Sequence, residues 1–419
     1  MSGSGTDEVK SLNQIEIPSD WEMKALGQIF EFKNGINASK ESYGTGVKFI
    51  NVMQVIYHDC ITANIIPGNV KIPDYKIKDF LVRRGDVLFN RTSETTDDIG
   101  LAAVYLDDER VVFGGFVIRG VPKDYFIFDD YKKYCFRSKF VRNQIIKGGQ
   151  GAVRSNIGQE DLANVKLPLP PLPEQKAIAH ILGLIDKAIN LNNQIITQKE
   201  LRKKWLMQQL LMGKKRLPGF EGECTEYDYN ELLKVVKRPV LWNDQELYKL
   251  ISVRRRSGGL FHRESLYGHQ IKTKDLRTAY TGDFLFSKMQ ILHGASGLVT
   301  EEFNGMKISG SYIAVISKNP ELLHMEFFNW IAKMPYFYHQ TYISSFGVHI
   351  EKMTFDFESF LSLSLKLPSI KEQAAIVSVL QVADKEILLL KSKLAYLKEQ
   401  KKGLMQVLLT GKKRLKINQ

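Results

Sequence analysis

PPLPEQKAIAHILGLIDKAINLNNQIITQKELRKKWLMQQLLMGKKRL, residues 170–217, recurs as PSIKEQAAIVSVLQVADKEILLLKSKLAYLKEQKKGLMQVLLTGKKRL, residues 368–415. The offset is 198 with no gap, and 22 of the 48 positions are identical. Among them are Glu174/Glu372, Gln175/Gln373, Asp186/Asp384, Lys187/Lys385 and the whole GKKRL ending. Self-similarity of this length at a fixed offset is a duplication, and it decides the architecture before any local motif does.

Each copy reads as one long helix, because its apolar residues follow a 3,4 spacing and no proline interrupts it before the GKKRL ending. The seam of the second copy is Ile376, Leu380, Ala383, Ile387, Leu390, Leu394, Leu397, Lys401, Leu404 and Leu408. The first copy has Ile178, Leu182, Ile185, Ile189, Asn192, Ile196, Lys199, Lys203, Leu206 and Leu210, the same seam with three polar substitutions at Asn192, Lys199 and Lys203. Asn192 either fixes register, as buried asparagines do in coiled coils, or is a solvated break. Gly183 and Gly403 each cost about 1 kcal/mol against alanine, which a long packed helix tolerates. Ser369 with Glu372 has capping-box spacing, Pro173 sits where a helix start accepts proline, and Gly213 and Gly411 supply the stops. Glu174 to Met212 is 39 residues, about 58 Å as helix. The expected arrangement is two such helices packed antiparallel around a twofold axis.

The rest of the chain bounds the partners. At 419 residues it holds two or three domains. Hydrophobic residues at 44% and charged residues at 25% exclude a disordered, collagenous or disulfide-scaffold protein. Lys plus Arg exceeds Asp plus Glu by 59 − 46 = 13, and the pI is near 9.3, a balance that favours a polyanion such as nucleic acid. Cys60, Cys135 and Cys224 are too far apart for a metal pair or a disulfide framework. Met1 to Asp7 reads as a loose end without a signal pattern, and no run of 18 apolar residues occurs, so a cytoplasmic, non-membrane protein is expected.

Two segments flank the helices, Glu16 to Lys166 and Phe220 to Ser364, both rich in short β-branched and aromatic runs. Strands are expected in VKFINVMQVI, DVLFNR, LAAVYL and VVFGGFVIRG of the first, and in DFLFSKMQIL, SGLVTEE and YIAVIS of the second. Helical stretches are expected near Tyr131 to Lys147 and Leu322 to Tyr338. Trp21 and Leu26 echo Trp242 and Leu247, while Gly85, Asp86, Leu88 and Phe89 echo Gly282, Asp283, Leu285 and Phe286. The fold class is therefore α+β: two mixed α/β modules joined and separated by two long helices forming an antiparallel coiled coil, with internal pseudo-twofold symmetry. In chain order the parts are residues 1–166, 167–218, 219–364 and 365–419.

This plan resembles the specificity (S) subunit of type I restriction-modification enzymes. The matching residues are Leu167 to Gln175, Ile178, Leu182 and Leu206 to Leu217, then Leu365 to Pro368, Glu372 and Gln373. The second copy departs at Ser369 and Lys371, where the first has prolines. The resemblance implies two target-recognition domains, each reading one half of a split asymmetric DNA site, with the helices as spacer. It also implies no catalysis by this chain, two adenine methyltransferase (M) subunits and two restriction (R) subunits as partners, and no cofactor of its own. S-adenosylmethionine, Mg and ATP belong to the partner subunits.

Two modules on a stiff spacer suit two short sequences at a fixed separation, as dimeric DNA binders suit half-sites one turn apart. Basic clusters at Arg202 to Lys204, Lys214 to Arg216, Arg254, Arg255 and Arg256, and Lys412 to Arg414 are phosphate candidates, or solvated helix ends. Candidate base readers follow the Gly-Asp strands: Asn90, Arg91, Thr92 and Ser93 in the first module, and Ser287, Lys288 and Gln290 in the second. Gln150, Arg154 and Asn156, and His349 and Lys352, are parallel candidates near the module ends, because Arg and Lys suit guanine while Asn and Gln suit adenine. No phosphate loop, [DN]PP[YFW] methyltransferase motif or HExxH pair occurs. Two other classes are kept: a nuclease with Asp86, Asp283, Asp130 and Lys132 as a split site, and a scaffold or RNA-binding adaptor.

Overall fold

The computed structural model describes residues 16–123, 126–149, 155–347 and 353–416. Two compact units emerge, Met1–Asn192 with Lys393–Gln419, and Asn193–Ser392. Compactness therefore does not follow the four sequential parts. Each unit takes one module, the start of one long helix and the end of the other, because the apolar stripe at each helix end is buried against its own module.

The first long helix runs Leu172–Leu210 and the second Ile370–Leu408, 39 residues each and again 198 apart. Both begin two residues earlier than the acidic residue that marks them in the sequence. Gly213 and Gly411 adopt φ of +63° and +72° after the last turn, the left-handed conformation that glycine reaches without a Cβ clash. Every seam position named above is buried or half-buried.

In the first unit, Ile178 and Leu182 of the first helix, and Leu408 and Leu409 at the end of the second, join one core with Leu26, Phe30, Tyr131 and Phe136 of the module. Asp186 pairs with Lys401 at 2.6 Å and Glu174 with Arg414 at 2.7 Å. Numbers rise along one helix as they fall along the other, so the segments are antiparallel. Glu174 is buried, and its carboxylate accepts from Trp21 Nε1 at 3.0 Å and from Arg414 Nε at 2.8 Å. Arg414 also donates twice to Asp20 at 2.8 Å, which holds the Asp20 carboxyl below its usual range. Gln175 donates to Pro170 O and accepts from Phe128 N, both at 2.9 Å.

The second unit repeats this chemistry. Glu372, fully buried, accepts from Arg216 Nε at 2.8 Å and from Leu217 N at 3.2 Å. Gln373 donates to Pro368 O at 2.9 Å and Leu322 O at 2.8 Å, and accepts from His324 N at 2.9 Å. Lys203 pairs with Asp384, and Lys199 with Glu386 at 2.5 Å. Two of the three polar seam residues of the first copy are thus ion-paired across the seam, and the third, Asn192, is buried in the first unit. Ser369 Oγ accepts from Glu372 N at 3.4 Å, one half of the expected capping box. The Glu372 carboxylate is turned to Arg216 instead of closing back on Ser369.

Each module is closed by pairing its first strand with its last. Glu22–Ala25 runs antiparallel to Lys166–Leu169, and Thr225–Asp228 to Ser364–Leu367. Inside the first module a sheet orders Phe30–Asn34, Val117–Pro122, Val87–Asn90, Ala102–Tyr105 and Cys60–Ile61. The second module reproduces the first four as Leu233–Val236, Tyr312–Ser317, Phe284–Ser287 and Ser296–Leu298. The remaining sheets differ: three strands in the first module, and a four-stranded sheet built on the hairpin Leu247–Val253 and Leu260–Tyr267 in the second.

Some local expectations are corrected. Val52–Tyr57 is a helix, although VKFINVMQVI read as strand throughout. Asn51 caps it, accepting from Val52 N at 2.7 Å, and Gln54 closes back on Asn51 N at 2.9 Å. The stretch 131–147 is two helices, Asp129–Cys135 and Lys139–Gly148, the second restarted by the Ser138 cap. Likewise Met325–Ile331 and Pro335–Ile343 are separate, with Pro335 opening the second.

Removing Arg216 or Arg414 leaves a buried carboxylate without its cation, so each change to alanine is expected to cost about 2–4 kcal/mol in denaturant unfolding. Lys199→Ala, which removes a half-exposed pair, should cost less than about 1 kcal/mol. Equal, small effects at all three would contradict the distinction.

Candidate nucleic-acid interface

The Gly-Asp motifs build the turns from which the candidate readers emerge. Asp86 N donates to Arg83 O, and Asp283 N to Tyr280 O, both at 3.0 Å, with Gly85 and Gly282 at φ of +88° and +90°. Such a turn needs a residue free of Cβ strain at its third position, hence glycine. The aspartate side chains close the same turns, accepting from Arg83 N at 2.9 Å and Tyr280 N at 2.8 Å. Burial pushes the Asp86 carboxyl up, against the pull of Arg119 nearby. Asp283 takes two bonds from Arg238, at 2.6 and 3.1 Å. Lys132 is buried and donates to Gly85 O and Asp129 Oδ1, and Asp130 pairs with Lys133. Asp86, Asp283 and Lys132 are buried and committed to turns and packing, while Asp130 lies half-exposed beside Lys133, so the four do not form the split nuclease site they suggested. Among the described residues no group of three His, Cys, Asp or Glu is arranged to hold a metal ion.

In the first module, Thr92–Ser93 pairs antiparallel with Ser155–Asn156, and Thr92 Oγ1 donates to Asn156 Oδ1 at 2.7 Å. Two stretches more than 60 residues apart in sequence are thereby joined in one rim. Asn156 is exposed and Arg91 and Thr92 are half-exposed. Asn90 is a correction: it is fully buried, its Nδ2 bonding Asp98 O at 2.9 Å and its Oδ1 accepting from Thr92 N. It shapes the loop and does not face outward. Ser93 is also buried, accepting from Thr95 N at 3.1 Å. Gln150 and Arg154 lie outside the described residues.

In the second module, Ser287 is buried within its strand, while Lys288 and Gln290 are half-exposed at the turn that follows. Gln290 Oε1 is buried without a hydrogen-bond partner among the described residues. The turn Ile291–His293 then meets the arginine triplet. Arg256 N donates to His293 O at 2.6 Å, and Ser257 N to Gly294 O at 2.9 Å. Sequence reading treated these as separate clusters, and it missed His293 and Tyr338, which lie beside them. Nothing in local spacing signals that meeting. His349 and Lys352 lie outside the described residues.

The other basic clusters divide. Arg216 and Arg414 are the cations of the buried carboxylates, and Lys203 belongs to the seam. Lys214, Lys215, Lys412 and Lys413 remain exposed. Arg254, Arg255 and Arg256 are exposed as well, with Arg254 4.5 Å from the centre of the Phe261 ring.

Asn90→Ala is expected to destabilise the chain by about 1–3 kcal/mol by leaving loop groups unsatisfied. Asn156→Ala should leave unfolding within about 0.5 kcal/mol of the unaltered chain. Parallel denaturation curves test this, and equal losses would contradict the assignment of one residue to the loop and the other to the surface.

The type I restriction modification DNA specificity domain family matches residues 18–200 and 232–399. The type I restriction enzyme MjaVIII specificity subunit of Methanocaldococcus jannaschii is 21% identical, over 98% of this chain and 97% of that protein. Among solved structures, the HsdS subunit from Thermoanaerobacter tengcongensis shares the fold with a TM-score of 0.55 at 17% identity, covering 94% of this chain and 98% of that one. A chain from work on complex assembly and conformational transition of the type I system gives a TM-score of 0.60 at 14% identity, over 94% and 99%. The family match falls on both modules and on the greater part of both long helices, and the chain therefore belongs to the type I restriction-modification DNA specificity family, whose members are the non-catalytic DNA-recognition subunits of these systems.

Proposed function

We propose that this chain reads a bipartite, asymmetric DNA site in the cytoplasm and assembles two methyltransferase subunits and two restriction subunits around it. Each module reads one half-site, and the long helices set the separation. S-adenosylmethionine, Mg and ATP act on the partner subunits, and this chain holds none of them.

The observation that carries this reading is the recurrence of one set of contacts in two units whose outer surfaces differ. Glu174–Arg414 and Asp186–Lys401 recur as Glu372–Arg216 and Asp384–Lys203, each shifted by 198. The helix frame is common, whereas the arginine triplet occurs in the second module alone. A shared frame with unlike rims supports two unlike half-sites, because one chain need not impose a palindrome. Recruitment of a partner in two copies is supported by apolar side chains left exposed at equivalent places. Leu191 and Leu389 are 58% and 61% exposed, and Leu184 and Val382 51% and 67%. Exposed apolar residues of that size at matching positions suit two copies of the same subunit.

Exchange of residues 16–166 for another module of the family should change one half of the methylated sequence only, read by methylome sequencing of cells carrying the exchanged chain. A change in both halves would reject the modular reading. Leu191→Asp with Leu389→Asp should lower the mass of the complex formed with methyltransferase subunits by two copies, and each single change by one. An unchanged mass would exclude these faces as docking sites.

A further inference from the structure

Among the described residues, only two other than glycine hold φ in the left-handed region: Arg256 at +57° and Ser257 at +53°. They are adjacent, at the tip of the hairpin Leu247–Val253 and Leu260–Tyr267. Glycine would adopt this conformation without strain, yet the glycines stand one step further on, at Gly258 and Gly259. Strain of this kind persists only where the surroundings over-determine it. Here three bonds do so: Arg256 N to His293 O at 2.6 Å, Ser257 N to Gly294 O at 2.9 Å, and the Ser257 and Tyr338 hydroxyls at 2.6 Å. Arg254 is tied off separately, donating to Leu260 O at 3.1 Å and lying over Phe261.

The outcome is a cavity of about 300 Å³ lined by Arg255, Arg256, Leu292, His293 and Tyr338. Both arginines are exposed, and no carboxylate is within ion-pair distance of either among the described residues. An arginine held in a fixed backbone geometry, with no anion of its own, is a donor fork awaiting one. The cavity adjoins the turn that follows Phe284–Ser287, the sheet position from which the first module presents Arg91 and Thr92.

We infer that this cavity is a preformed seat for one backbone phosphate of double-stranded DNA, with Arg255 and Arg256 as its donors and Tyr338 and Ser257 as the strap that holds its shape. The inference rests on the DNA-reading function proposed above and assigns a contact within it. The backbone bonds from Arg256 and Ser257 to His293 and Gly294 tie the seat to the turn that follows Lys288 and Gln290, so the phosphate sets the position of those side chains over the groove. Backbone contacts position a protein and base contacts specify the sequence, and these bonds make the two one mechanical piece.

The test uses the full chain and a 40-bp duplex of mixed sequence, with anisotropy measured from 50 to 200 mM KCl. Arg255→Gln with Arg256→Gln removes the contact to that one phosphate and should flatten the slope of log K against log salt by about 1. Tyr338→Phe keeps every charge but loosens the strap. It should leave the slope unchanged and weaken binding about threefold to tenfold, with far-ultraviolet circular dichroism and melting temperature held as controls. An unchanged slope in the double variant would overturn the seat. Unchanged affinity in Tyr338→Phe would reduce the arginines to loose surface charge and overturn its preformed character. If the unaltered chain bound no duplex, the DNA-reading function itself would fall, and the seat with it.

Discussion

A buried carboxylate that must find its cation organises both halves of this protein. Glu174 and Glu372 sit near the start of their helices with almost no exposure, where an ionised side chain without a partner would be costly. The partner is not local. It is the arginine of the GKKRL ending that follows the other helix, Arg414 for Glu174 and Arg216 for Glu372. Satisfying each charge therefore brings the start of one helix to the end of the other, which is the antiparallel arrangement itself. The apolar seam supplies attraction along the helices but little sense of direction, since leucine against leucine is indifferent to polarity. Direction and register come from the charges, with Asp186–Lys401 and Asp384–Lys203 repeating the constraint along each unit.

The modules are held to this frame by polar contacts of the same economy. Gln175 and Gln373 each bind the carbonyl just after the strand leading into their own helix, at Pro170 and Pro368, and the backbone of a nearby module segment, at Phe128 and at Leu322 and His324. Pairing the first and last strands closes each module at its base. The common four-strand order carries the Gly-Asp turns, and beyond it the modules diverge. A shared base with different rims is what a two-part reader requires, because the frame has to be the same while the surfaces must differ.

The duplication, the helix lengths, the glycine stops and the composition of the seam were legible in the sequence because they are local or periodic properties. The lysines at seam positions 199 and 203 were legible as departures but not as ion pairs, since Glu386 and Asp384 lie more than 180 residues away. Strand and helix were confused at Val52–Tyr57 because a short apolar run carries no period, and a two-residue capping arrangement at Asn51 and Gln54 decided it. Among the candidate readers, residue type was a poor guide to exposure. Asn90 has the chemistry of an adenine contact and spends it on its own loop, while Tyr338, within a helix rich in aromatic residues, carried no signal at all.

What the amino-acid order determined alone is the repeated frame: two helices of equal length with matching charges at a constant offset, because identical chemistry at a constant interval folds twice in the same way. Only tertiary structure decided which charge meets which, and it drew each compact unit from both ends of the duplicated stretch. It also decided that the arginine triplet at 254–256 and the turn at 291–294 form one site. That last contact depends on two strained residues and the carbonyls that hold them, and backbone conformation of that kind is set by the surroundings and not by the side chains that happen to bear it.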